Sequence, residues 1–222
     1  MSTGAVWLLL LLGTTGRHLT EQVSLQPPVH VRFSSVDYKT SVLWAAPSNS
    51  SALKYHVQWK IYGEPRWVDV DHCQGTKSPQ CSLSHETSVL TEWYYARVRA
   101  TSSTSQSDWV VSPRFSPRWD SVISVPVLRV NATRKGIVVR VKPPLAQVRR
   151  NHRDLYYKIY LRRGSRDEEE LEMKCCFHKL NIQDVTRRKT YCFQAQTILP
   201  LQARRSNRSP AKCITFRYGH AL

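Results

Sequence analysis

Four short segments in which every second residue is apolar constrain this chain most. Tyr55, Val57, Trp59 and Ile61 alternate with His56, Gln58, Lys60 and Tyr62. Tyr94, Ala96, Val98 and Ala100 do the same, as do Ile137, Val139 and Val141, and Leu155, Tyr157, Ile159 and Leu161. A period of two puts one face of a strand inward and the other toward solvent. Only residues 166–173 have any helical character. Their acidic run, Asp167-Glu168-Glu169-Glu170, reads more simply as a solvated turn with a strand after it.

The pattern then repeats with an offset near 100 residues. Ser41 to Pro47 matches Gly136 to Pro143, each a strand stopped by proline; Tyr55 to Ile61 matches Tyr156 to Leu161; Leu90 to Ala100 matches Val185 to Ala195. Two copies of one seven-stranded, all-β sandwich follow. With 222 residues, 41% of them hydrophobic, each copy can build its own core. The joint is placed at Pro113 to Asp120, where prolines block continued pairing. Phe115 and Trp119 are too apolar for a free linker and are predicted to pack between the modules. The expected boundaries are residues 21–118 and 119–222.

Residues 1–20 read as a signal peptide. The apolar run Val6 to Leu12 is too short to span a bilayer and precedes small residues, Thr14-Thr15-Gly16. No second apolar run follows, so the expected product is secreted, extracellular and without a membrane span. Six cysteines and three sequons, at Asn49, Asn131 and Asn207, fit that compartment.

Charge is lopsided. Residues 1–120 hold 11 Lys+Arg and 9 Asp+Glu, whereas residues 121–222 hold 22 and 7. Three basic clusters stand out in the second half: Arg149-Arg150 with His152-Arg153, Arg162-Arg163, and Arg187-Arg188-Lys189. The plain reading is a solvated surface; the sharper one is attraction to sulfated glycans. The leader and the cysteines argue against nucleic acid. No nucleophile elbow, zinc-protease helix, phosphate loop or dinucleotide fingerprint occurs, so the chain is read as a non-enzyme with no cofactor and no metal.

Tyr94-Tyr95-Ala96-Arg97-Val98-Arg99-Ala100 looks like the sixth-strand signature of fibronectin type III modules, in which the Tyr hydrogen-bonds back to the chain. Cys73 and Cys81 are separated by seven residues, Cys192 and Cys213 by twenty. Those spacings resemble the class II cytokine receptors. So do Val57 to Gly63, Ser107-Asp108-Trp109 and Pro113 to Pro117, the likeness being stronger in the first module than in the second.

The resemblance implies two tandem fibronectin type III domains and the disulfides Cys73–Cys81 and Cys192–Cys213. Strand phase supports the second bridge, since Tyr191, Phe193 and Ala195 inward leave Cys192 outward, opposite Cys213 across a hairpin centred near Leu201-Gln202-Ala203. It further implies a monomer that binds a helical cytokine of the interleukin-10 family, interleukin-22 foremost, at the bend between modules and blocks its access to the membrane receptor. The contact residues it points to are Lys60, Tyr62, Gly63, Glu64, Arg66 and Trp67, then Ser103 and Thr104 at the same end, then Leu199 and Leu201 at a second-module tip. Trp67 has a competing place on its own sheet. Arg97 and Arg99 are expected to stack on Trp109 as a structural feature. Rival readings are a matrix protein that holds glycans through the basic module, and a soluble form of another receptor chain of this family. Cys175-Cys176 departs from the family pattern and leaves three states open: free thiols, a vicinal bridge or an intermolecular link.

Overall fold

The computed structural model describes residues 25–48, 53–142, 144–164, 166–175 and 179–218. The expected signal peptide and the Asn49 sequon lie outside these residues. The alternation seen in the sequence becomes strands. In the first module these are β1 (Val29–Val36), β2 (Lys39–Ala45), β3 (Lys54–Ile61), β4 (Val68–Asp69), β5 (Gln80–Ser82), β6 (Tyr94–Thr101) and β7 (Val110–Val111). They form two sheets, ordered β1-β2-β5 and β4-β3-β6-β7. Tyr55, Val57, Ala96, Val98 and Ala100 are buried between them.

The second module repeats this order. Its strands are β8 (Leu128–Thr133), β9 (Gly136–Val141), β10 (Tyr156–Arg163), β11 (Arg166–Lys174), β12 (Leu180–Ile182), β13 (Thr190–Leu199), β14 (Arg204–Arg205) and β15 (Lys212–Thr215). One sheet runs β12-β9-β8; the other runs β11-β10-β13-β14, with β15 also on β13. The acidic run is therefore strand rather than turn. Glu168, Glu169 and Glu170 face cations across the sheet: Arg208 at 2.9 Å, Arg163 at 3.0 Å and Lys158 at 2.7 Å.

The same small devices recur in both modules. The Tyr94 hydroxyl donates to the Val89 carbonyl at 2.9 Å, and the Tyr191 hydroxyl accepts from the Thr186 N–H at 2.7 Å. These tyrosine corners pin the loop before β6 and β13. Both expected disulfides form, Cys73–Cys81 and Cys192–Cys213, the latter between directly opposed residues of β13 and β15. Cys175 is also disulfide-bonded, which removes the free-thiol state for it; Cys176 lies outside the described residues.

Two short helices, α1 (Pro117–Asp120) and α2 (Ala146–Asn151), were not expected. Each is too short to show a helical period. Proline at the start of α1 suits the first helical position, and the Asp120 carboxylate accepts from the Ser116 N–H at 2.7 Å. Val148 is the one fully buried residue of α2.

The joint differs from expectation. Phe115 is buried within the first module, stacked on Phe33 with ring centroids 4.5 Å apart. Trp119 is 49% exposed, with the Arg118 guanidinium beside its ring. Neither ring fills the gap between modules; Tyr38 does. It sits with Asp37 in the two-residue turn between β1 and β2, both at positive φ, 66° and 51°. Left-handed backbone costs a side chain such as Tyr about 1–2 kcal/mol. The compensation comes from the second module. Tyr38 is 2% exposed, belongs to that module's apolar cluster and hydrogen-bonds its hydroxyl to His152 Nε2.

Main-chain bonds reinforce this lock. The Asp37 N–H donates to Val122 O at 2.8 Å, and the Val122 N–H donates to Ser35 O at 2.9 Å. Ser121 Oγ accepts from the Tyr38 N–H at 3.0 Å, and Asp37 Oδ1 accepts from the Ser124 N–H at 2.8 Å. His152 is thus buried in the elbow and does not belong to a surface basic cluster.

Burial holds the His152 imidazole below the ordinary histidine pKa. Arg204 and Arg118 nearby add to the lowering, while Asp154 opposes it. Burial also raises the Tyr38 phenol. Above about pH 6.5 His152 is neutral folded or unfolded; below it, the unfolded chain binds a proton that the folded elbow resists. Stability should therefore fall as pH drops below that point, and His152→Gln should flatten the fall. Denaturant titrations at about pH 7.5 and about pH 5.5 check this; a wild-type-to-variant difference identical at both would contradict it. At neutral pH, Tyr38→Phe should cost about 1–3 kcal/mol by leaving the buried imidazole without its partner.

Candidate binding surface at the elbow

β3 and β6 pair so that Ile61 lies opposite Tyr94 and Lys54 opposite Thr101. The chain leaving β3 therefore emerges beside the start of β6, at the elbow. Gly63, at φ +90°, makes the tight turn that follows, in a conformation other residues rarely adopt. Tyr62 points out of it and is 57% exposed. It is held rather than loose. Its N–H donates to Trp93 O at 2.7 Å, its ring lies 6.2 Å from Tyr95, and the Arg114 guanidinium bridges Tyr62 and Trp93 at 5.4 and 4.3 Å. Lys60 Nζ donates to Glu64 O at 3.1 Å and closes the turn. Glu64 and Arg66 are exposed.

Trp67 takes its competing place. It lies on its own sheet, with Lys60 5.1 Å and Arg97 4.4 Å from its ring. Arg97 is sandwiched, its other side 4.5 Å from Trp109, and Arg99 follows at 4.7 Å. The expected Arg–Trp stack is present and extends by one more tryptophan.

The other expected residues divide. Ser103 and Thr104 are exposed, but they follow Thr101, at the far end of β6 from Tyr62. Seven residues of strand put them roughly 20 Å away from the elbow. Leu199 is fully buried in the second core, while Leu201 is 83% exposed at the tip beside it. Asn131 and Asn207 are exposed.

A chain of bonds joins the loops that do converge. Trp93 lies in the segment before β6, whose Leu90 carbonyl accepts from the Arg118 N–H at 3.2 Å. Arg204 donates to the carbonyls of Arg118 and Ser121. The Leu201 N–H donates to Asp154 Oδ2 at 3.4 Å. Helix α1 is thus the hub for the Tyr62 turn, the 88–93 segment and the 200–205 tip. Val89, 53% exposed, and Trp93 lie in the second of these and were not among the expected contact residues. A tyrosine corner at Tyr94 implies a fixed loop before it, and that was the available signal.

Among the described residues His72, Cys73 and Cys81 approach one another, but both sulfurs are committed to a disulfide and no metal-ligand set results. No helix among them is long and apolar enough to cross a membrane.

Comparison with known proteins bears on what such a surface serves. Residues 3–109 match the family model described as tissue factor, and residues 121–217 match that described as interferon-alpha/beta receptor, fibronectin type III. The rat interleukin-22 receptor subunit alpha-2 is 31% identical over 93% of this chain and 95% of its own length. This chain belongs to the class II cytokine receptor family. The human interleukin-22 receptor subunit alpha-2 is 28% identical over 92% of this chain and 93% of its own. The chicken interferon gamma receptor alpha chain superposes with a TM-score of 0.74 at 22% identity, covering 87% of this chain and all of that one, and so shares the fold. The two modules are therefore the extracellular, fibronectin type III modules of a non-enzymatic receptor that binds a helical cytokine.

Arg97→Ala should destabilise the first module by about 1–2 kcal/mol, through loss of two stacking contacts and its bond to Gln58. Tyr62→Ala should change stability by less than about 0.5 kcal/mol. Parallel denaturant melts check both.

Proposed function

We propose that this protein is a soluble receptor for an interleukin-10-family cytokine, interleukin-22 foremost, and that it denies the cytokine to its membrane receptor. The observation that carries the reading is Tyr62. It is a large amphipathic side chain, exposed, yet fixed by a main-chain bond and an arginine bridge. Rigid aromatics of this kind lose little entropy on binding and are enriched among residues that dominate interfaces. The relatives named interleukin-22 receptor subunit alpha-2 align over nearly their whole length, which supports interleukin-22 as the ligand.

The contact surface would comprise Tyr62 with Lys60, Gly63, Glu64 and Arg66 on one side of α1, and Leu201 on the other. Val89 and Trp93 join it from the loop between. Trp67 supports it from behind. Ser103, Thr104 and Leu199 drop out, for their position and burial. Secretion rests on the leader-like start and the disulfides.

Tyr62→Ala should weaken interleukin-22 binding by about 1–4 kcal/mol, mainly through faster dissociation. The double variant Ser103→Ala, Thr104→Ala should bind as wild type does. Surface plasmon resonance checks both; unchanged affinity in Tyr62→Ala removes the tip from the site. Premixing the protein with interleukin-22 should abolish signalling in cells that carry the membrane receptor. Tight binding without that block would contradict the antagonist reading.

A further inference from the structure

Four acids of the second module are spent on ion pairs. Glu168, Glu169 and Glu170 on β11, with Asp184, neutralise Arg208, Arg163 and Lys158. The opposite sheet, β12-β9-β8, has no acidic residue in any strand. Arg129 and Arg140 lie directly opposed in its register, and Lys142 follows. These three cations line one cleft, of about 340 Å³, with Val127 and Val141. Arg134, Lys135 and Lys179 line a second, of about 530 Å³, at the other end of the same strands. All six side chains are exposed, and none forms an ion pair among the described residues.

Like charges directly opposite across a strand pair destabilise it. The Arg129–Arg140 pair is therefore a cost to the folded chain that a bound anion would relieve. Arg129 and Thr133 are separated by roughly 13 Å of strand, and Arg134 and Lys135 form the turn just beyond, between β8 and β9. Two acid-free clefts in line on a rigid sheet suit an extended polymer that carries anionic groups at intervals. They suit a single small anion less well.

We propose that this sheet face binds a linear sulfated polysaccharide of the heparan sulfate type, one chain running across both clefts. Guanidinium groups donate two parallel bonds to sulfate oxygens, and release of counterions from the polymer adds a salt-dependent gain. The residues are distinct from those of the elbow surface, so the inference stands whether or not interleukin-22 is the cytokine. A secreted receptor held this way would stay near the cells that release it. Asn131 is exposed on β8 between the clefts, so a glycan there would cover the face.

The test compares heparin affinity of full-length proteins with Asn131 intact and in an Asn131→Gln background; binding that appears only once the sequon is removed would overturn the proposal. One variant carries Arg129→Gln, Arg140→Gln and Lys142→Gln; a second carries Arg134→Gln, Lys135→Gln and Lys179→Gln. A control carries Arg149→Gln, Arg150→Gln and Arg153→Gln, which removes the same charge from exposed positions elsewhere. Each cleft variant should bind heparin at least about tenfold more weakly at physiological salt and show a shallower salt dependence, with the control within about threefold of the parent. Equal losses in all three would overturn the proposal in favour of diffuse charge attraction. So would duplex DNA competing as well as heparin, since the face would then be selecting charge alone.

Discussion

Everything at the elbow depends on one strained turn. Asp37 and Tyr38 occupy left-handed backbone in a tight hairpin, a place where Asn-Gly would be easier. They persist because the Tyr38 side chain belongs to the other module's core and its hydroxyl meets a buried histidine. Consecutive modules of a receptor ordinarily meet through small, polar interfaces and move relative to each other. Here strand β1 continues by backbone bonds into the segment that opens the second module, through the parallel bridge of Val36 with Val122. Such a joint behaves as part of a fold rather than as a hinge.

A fixed elbow makes its loops useful. The Tyr62 turn, the 88–93 segment and the 200–205 tip come from different strands and different modules, and each is bonded to α1 or to a neighbour that is. Little ordering is left to be done when a partner arrives, which favours binding. The Arg–Trp stack on the outer sheet has another task. It covers the β3–β6 pair at its centre and stiffens the strand that delivers Tyr62.

The parts of this structure visible in the sequence are those set by local rules. Strand phase gave the two cores, the repeat gave the second module, and the family cysteine spacing gave both bridges. Tyr94 announced its corner. What escaped depends on contacts between distant residues. Nothing near Val36-Asp37-Tyr38-Lys39 signals that Tyr38 enters another module. His152 looked like one more member of a basic run because its partner is 114 residues away. Helix α2 was hidden by its length.

The positions of Leu199, Ser103 and Thr104 follow from strand rules alone. The phase that places Tyr191, Phe193 and Ala195 inward also buries Leu199 when carried to the end of β13. Antiparallel pairing of β3 with β6 by itself puts Ser103 and Thr104 at the end remote from Tyr62. The acidic run misled because a strand carrying consecutive acids is stable only beside cations, and Lys158, Arg163 and Arg208 come from elsewhere in the chain.

The most direct measurement of the central claim is amide hydrogen exchange on the protein with and without interleukin-22. The account predicts new protection at residues 61–67, 88–93 and 199–204, together, with the 102–106 loop unchanged. Protection confined to that distal loop, or none on either side of α1, would contradict it.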